Sequence, residues 1–171
     1  PDYAAQSLDY AKALFQFAKS HEKQLSDNAD GPKSYYRSEK WEDDYCWAAA
    51  WLFKITGDES YLQEIYPYYD YYAAPCYVYC WNDMWSGANT MWAIINQQHP
   101  ELDLVNMVRK AQGKNQYVYD DFWDEVEKAF TAWKGLETAG GYAFRSQWGS
   151  ARYNTSQQMV ALVATKYGAA N

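Results

Sequence analysis

A chain of 171 residues, 49 % of them hydrophobic, can bury one sizeable core, which excludes global disorder and sets one domain as the scale. A net charge of −7 argues against a nucleic-acid backbone or an anionic membrane as the main partner, and no apolar run approaches a membrane span. The unusual figure is 19 % aromatic content, with 18 Tyr and 9 Trp against 6 Phe; flat rings with one polar handle suit ligand-touching surfaces as well as cores.

Apolar residues recur at three and four positions, not two, so the long segments read as helices. Leu8, Ala11, Leu14, Phe15 and Ala18 predict a first helix from about Asp2 to His21, followed by a polar loop from Ser26 to Lys33. Glu42, Asp43 and Asp44 open a second helix, where the positive end of the dipole favours acids; it runs through Cys46, Trp47, Ala50, Trp51 and Phe53 to Gly57. Asp58 caps a third, through Tyr61, Leu62 and Ile65 to Tyr69 and ended before Pro75. A fourth runs from about Asn82 through Trp85, Met91, Trp92 and Ile95, closed by Pro100, and a fifth covers Leu102 to Ala111. The sixth, Asp120 to Lys134, carries Phe122, Val126, Ala129, Phe130 and Trp133 on one side. Thr155 or Ser156 caps a last helix bearing Met159, Val160, Leu162 and Val163 and ended by Gly168.

The second and last helices are both densely apolar with small residues, the pattern of helices buried on more than one side. Helices that recur about every 35 to 45 residues and alternate buried with amphipathic indicate an all-α toroid or solenoid of helical hairpins. Cys46, Cys76 and Cys80 form no CxxC pair; Cys76 and Cys80 are either bonded or simply buried thiols, and they do not reveal a compartment. His21 and His99 read as helix-end and turn residues. Pro1-Asp2-Tyr3 has no signal-peptide character, so any targeting segment has been removed or lies outside this chain.

Three segments gather aromatic and polar residues just before a buried helix: 34–44, 77–83 and 140–153. In an α/α barrel such segments open at one end and would line a single cleft. Aromatic faces against pyranose C–H faces, with polar groups on the hydroxyls, make a sugar site; the alternative is that these rings are core packing.

The run Asp43-Asp44-Tyr45-Cys46-Trp47-Ala48-Ala49-Ala50-Trp51-Leu52-Phe53-Lys54-Ile55-Thr56-Gly57-Asp58-Glu59-Ser60-Tyr61-Leu62 resembles a signature of glycoside hydrolase family 9. Gly140-Gly141 and Trp148-Gly149-Ser150-Ala151-Arg152-Tyr153-Asn154-Thr155 are similar to a second block of that family, and Trp81-Asn82-Asp83-Met84-Trp85-Ser86-Gly87 to a third. The blocks follow the family's order over nearly the whole chain. The resemblance implies part of an (α/α)6 barrel from a secreted, inverting endo-1,4-β-glucanase that acts on cellulose or another β-1,4-glucan without an organic cofactor.

Residue by residue, it implies glucosyl-subsite aromatics at Tyr35, Tyr36 and Tyr77 and a sugar-stacking Trp148. It also places Tyr153 near the scissile bond, with Arg152 orienting that ring or a neighbouring carboxylate. A structural calcium is implied at Asp43, Asp44 and Asn82, although Asn82 removes a charge the family supplies and Lys40 opposes a cation. An inverting mechanism needs a base and an acid about 6.5–9.5 Å apart. The family's Asp-Ala-Gly-Asp base motif is not in this sequence, and the acid Glu follows the matched region. The resemblance therefore implies a middle segment lacking the module's N-terminal and C-terminal parts. Such a segment is inactive alone and needs the remaining segments.

The chain's own acids give no substitute pair. Asp120, Asp121, Asp124, Glu125 and Glu127 read as a solvated helix start, and Asp43 and Asp44, adjacent on a helix, diverge by about 100°. A non-catalytic glucan-binding α/α domain is the rival reading.

Overall fold

The computed structural model describes residues 2–24, 30–69, 79–113 and 121–168. Helices dominate: α1 (Asp2–Ser20), a single-turn α2 (Asp30–Lys33), α3 (Glu42–Thr56), α4 (Ser60–Ile65), α5 (Trp85–Gln98), α6 (Leu104–Ala111), α7 (Phe122–Lys134) and α8 (Ser150–Tyr167). Among the described residues there is no strand, only isolated bridges between Cys80 and Asp83 and between Glu137 and Ala143. The all-α expectation holds.

The acidic first turn of α3 and its glycine stop behave as the sequence reading has them. Gly57 sits at φ 72°, a left-handed conformation that costs a glycine little, and its N–H closes on the Phe53 carbonyl at 2.7 Å. Other boundaries differ, each for a local reason. α4 stops at Ile65 rather than Tyr69 because Pro67 has no N–H to continue it. α5 begins at Trp85 rather than Asn82, since Cys80 and Asp83 exchange backbone bonds of 2.8 and 3.1 Å and close 80–83 into a turn. α6 begins after a 3-10 turn over Pro100–Leu102. α8 starts at Ser150, five residues ahead of Thr155, behind Gly149 at φ 70°. The end of the expected loop winds into α2.

Packing centres on α5, which contacts α3, α7 and α8, while α4 and α1 pack on α3. Every residue of α5 from Trp85 to Ile95 is buried. Trp92 and Trp85 lie against the buried rings of Tyr69 and Phe122, and the Trp92 indole N–H donates to the Cys46 carbonyl at 3.3 Å. α7 buries Phe122, Val126, Ala129 and Trp133, one side of a 3.6-residue period, with the Asp121 side chain capping its start. Glu125 does not fit the expected solvated start. It falls on that buried side, 3.8 Å from Lys128.

α1 forms over the expected span, and the expected burial of α8 is corrected. Of the α1 stripe only Phe15 is buried, stacked on Tyr45 at 4.4 Å; Ala11, Leu14 and Ala18 instead line an open groove of about 570 Å³ against α3. α8 is not buried on more than one side. Its buried residues are Asn154, Gln157, Val160 and Ala164, a single narrow stripe, because α5 is its main neighbour among the described residues. Within that stripe the Ser86 hydroxyl of α5 donates to Gln157 Oε1 at 3.1 Å.

Candidate functional site

The three segments that precede α3, α5 and α8 meet. An open cavity of about 510 Å³ is lined by Glu39, by Cys80, Trp81, Asn82 and Asp83, and by Arg145, Ser146 and Tyr153. Each helix start delivers its preceding loop to the same end of the hairpins. Trp81, Arg145, Glu39 and Asp83 were not singled out in the sequence as substrate contacts. The usable signal was their place in those pre-helix segments.

The expected subsite residues divide. Tyr153 lines the cavity, and the Arg152 guanidinium lies over its ring, 4.6 Å from the centroid. Tyr36 is joined to the cavity through Trp81, its ring edge-on at 5.3 Å. Tyr35 and Trp148 stand at the surface, 82 % and 84 % exposed. Neither is held by ring packing among the described residues, so core packing does not account for them. The Trp148 backbone N–H donates to the Ser146 hydroxyl at 3.3 Å. Tyr77 lies outside the described residues, as does Cys76. Cys46 is buried and Cys80 half-buried.

The three proposed cation ligands sit where α3 meets the turn before α5. Asp43 is 1 % exposed; its Oδ2 accepts the Met84 N–H at 2.7 Å, whereas its buried Oδ1 has no partner among the described residues. Asp44 is exposed at the surface, yet partial loss of hydration at its carboxyl, then the charges of Asp43 and Asp83, push it up to about 6. The Asn82 side-chain Oδ1 accepts the Glu39 N–H at 3.0 Å. Among the described residues no three His, Cys, Asp or Glu side chains are gathered into a metal cluster. The buried, orphaned oxygen of Asp43 is the feature that fits a cation, since a lone carboxylate oxygen away from water is costly.

Comparison with known proteins defines first the class and then the family. The catalytic domain of Clostridium thermocellum CelT superposes with a TM-score of 0.87 and 49 % identity, covering 97 % of this chain and 35 % of that one. The helical hairpins are thus a stretch of an (α/α)6 barrel of the glycosidase kind. The chain belongs to glycosyl hydrolase family 9, which matches residues 1–171. Endoglucanase B of Cellulomonas fimi is 31 % identical over 95 % of the chain, and Endoglucanase 19 of Arabidopsis thaliana 25 % identical over 98 %. The chain spans 15 % and 26 % of the lengths of those two relatives. No helix among the described residues is long and apolar enough to cross a membrane.

Proposed function

We propose that the chain forms one wall of the glucan cleft in a secreted, inverting endo-1,4-β-glucanase, with cellulose or a related β-1,4-glucan as substrate. The observation that carries this is the convergence of three pre-helix segments on one cavity holding Trp81, Tyr153 and Arg145. Family membership supports the reaction class. Tyr35, Tyr36, Tyr77 and Trp148 serve as stacking surfaces for successive glucosyl units. Tyr153, braced by Arg152, contacts the sugar inside the cavity.

In such a reaction a base draws a proton from water, the water attacks the anomeric carbon, and an acid protonates the departing oxygen. That acid and base are supplied by parts of the module other than this chain, and no organic cofactor is needed. The rest of the module also covers Leu162 on the outward side of α8. Calorimetric titration of the chain with cellohexaose is expected to show binding that Trp148→Ala weakens. Unchanged affinity in that variant would remove Trp148 from the cleft. Release of reducing ends from soluble cellulose derivatives by the 171-residue chain would place the acid and base within it after all.

Asp43, Asp44 and Asn82 would hold a structural calcium, an ion that takes oxygen ligands and would offset the clustered negative charge. Calcium would raise the melting temperature of the native chain and leave Asp43→Asn unmoved. An equal response in both would end this assignment.

A further inference from the structure

We infer that Asn154 is the positioning residue for the exposed loop that carries Trp148. The inference rests on the glucan reading of that tryptophan and adds to it what holds the ring in place. Asn154 lies in the second turn of α8 and is 4 % exposed. One side-chain amide makes three bonds from there. Its Oδ1 accepts the Ala143 N–H at 3.2 Å, and its Nδ2 donates to the Ala143 carbonyl and, at 3.1 Å, to the Ser150 carbonyl. Both backbone groups of Ala143 are therefore tied to the same residue that grips the first residue of α8. The stretch 144–149, with Arg145 and Trp148, is a loop whose two ends are clasped at one point.

Only an amide can do this. It offers an acceptor and two donors side by side, whereas a carboxylate only accepts and a hydroxyl has a single proton. The outer side of the loop is braced independently, by Phe144 N–H to the Leu136 carbonyl at 2.9 Å and by the Thr138 hydroxyl to the Tyr142 carbonyl at 2.7 Å. The other end turns at Gly149, where the positive φ leaves the Arg152 guanidinium packed close. Asn154 joins these two ends. A ring presented on an unclasped loop loses affinity to the entropy of ordering that loop on contact.

Two measurements on the full chain separate the clasp from the glucan reading. Hydrogen exchange without sugar tests the clasp alone. Asn154→Ala is expected to speed exchange in peptides spanning 140–149, with α5 peptides still protected; unchanged exchange there overturns the inference. Asn154→Asp retains the size and the acceptor for the Ala143 N–H but loses both donated bonds, so it is expected to show the same local loss. If Asn154→Ala also deprotects α5, the Asp variant decides the matter, and normal protection of 140–149 in it overturns the inference.

The second measurement is a binding cycle with cellohexaose. Asn154→Ala is expected to weaken binding about tenfold when Trp148 is present and less than about twofold in a Trp148→Ala background. Equal losses in both backgrounds would show that Asn154 does not act through Trp148. If Trp148→Ala alone changes nothing, the glucan reading of that ring fails, and the exchange result still stands or falls by itself.

Discussion

Helices α5 and α8 have similar raw material, and the structure uses it differently. Both mix large apolar side chains with small residues, yet α5 is buried from Trp85 to Ile95 while α8 buries only four positions along one stripe. α5 has α3, α7 and α8 around it; α8 leans on α5 and leaves Leu162 outward, 73 % exposed. How deeply such a helix is buried depends on how many neighbours surround it, and among the described residues α5 has more of them than α8. Burial in this chain is therefore graded from α5 outward, and the same kind of substitution should have very different effects along that gradient.

The largest effect is expected at the centre. Trp92→Ala removes a fully buried indole among Tyr66, Tyr69 and Phe122 and should cost about 3–5 kcal/mol in a denaturant titration. A loss below about 1 kcal/mol would mean that α5 is not the hub. Next comes the anchor between α3 and the start of α5. Asp43→Ala, in calcium-free buffer, strips the Met84 N–H of its acceptor and should cost about 1–3 kcal/mol. If it stabilises instead, the orphaned carboxylate oxygen outweighs that bond.

Trp148→Ala, just ahead of α8, should leave stability within about 0.5 kcal/mol while cellohexaose affinity falls about tenfold. A stability change as large as the binding change would reassign the ring to packing. The smallest effect belongs to the outer side of α8. Leu162→Ala should move stability by less than about 0.5 kcal/mol in this chain, and by about 2–5 kcal/mol in a module whose other helices cover that side. Similar losses in both settings would erase the contrast between the two helices.

Much of the fold was legible because its signals are local. The acids of α3, Gly57, and the side of α7 running Phe122, Val126, Ala129 and Trp133 follow from dipole, φ and period alone. Pro67 was an equally local stop that the apolar run through Tyr69 obscured. The start of α8 was misplaced because Gly149 caps it by backbone conformation, with no side-chain oxygen for a capping rule to find.

The candidate site was legible only by segment. That 34–44, 77–83 and 140–153 precede helices can be read from the sequence; that Glu39, Trp81 and Arg145 share one cavity depends on how three hairpins turn beside each other. Asn154 was overlooked for a similar reason. An asparagine near a helix start looks like a surface cap until the chain before it folds back onto its amide.

The hydrogen bond from Ser86 to Gln157 has a consequence for the cleft as well as for the core. The apolar part of the buried stripe of α8, Val160 and Ala164, gives the helix little aim about its own axis, since dispersion contacts have no preferred direction. A buried bond between two particular side chains does have one, and it sets the angle at which α8 meets α5. Each residue advances about 100° around the helix, so a modest roll would carry Tyr153 away from the cavity it lines. The aim of the Tyr153 ring is thus decided partly from behind, by one hydroxyl and one amide that lie outside the cavity lining.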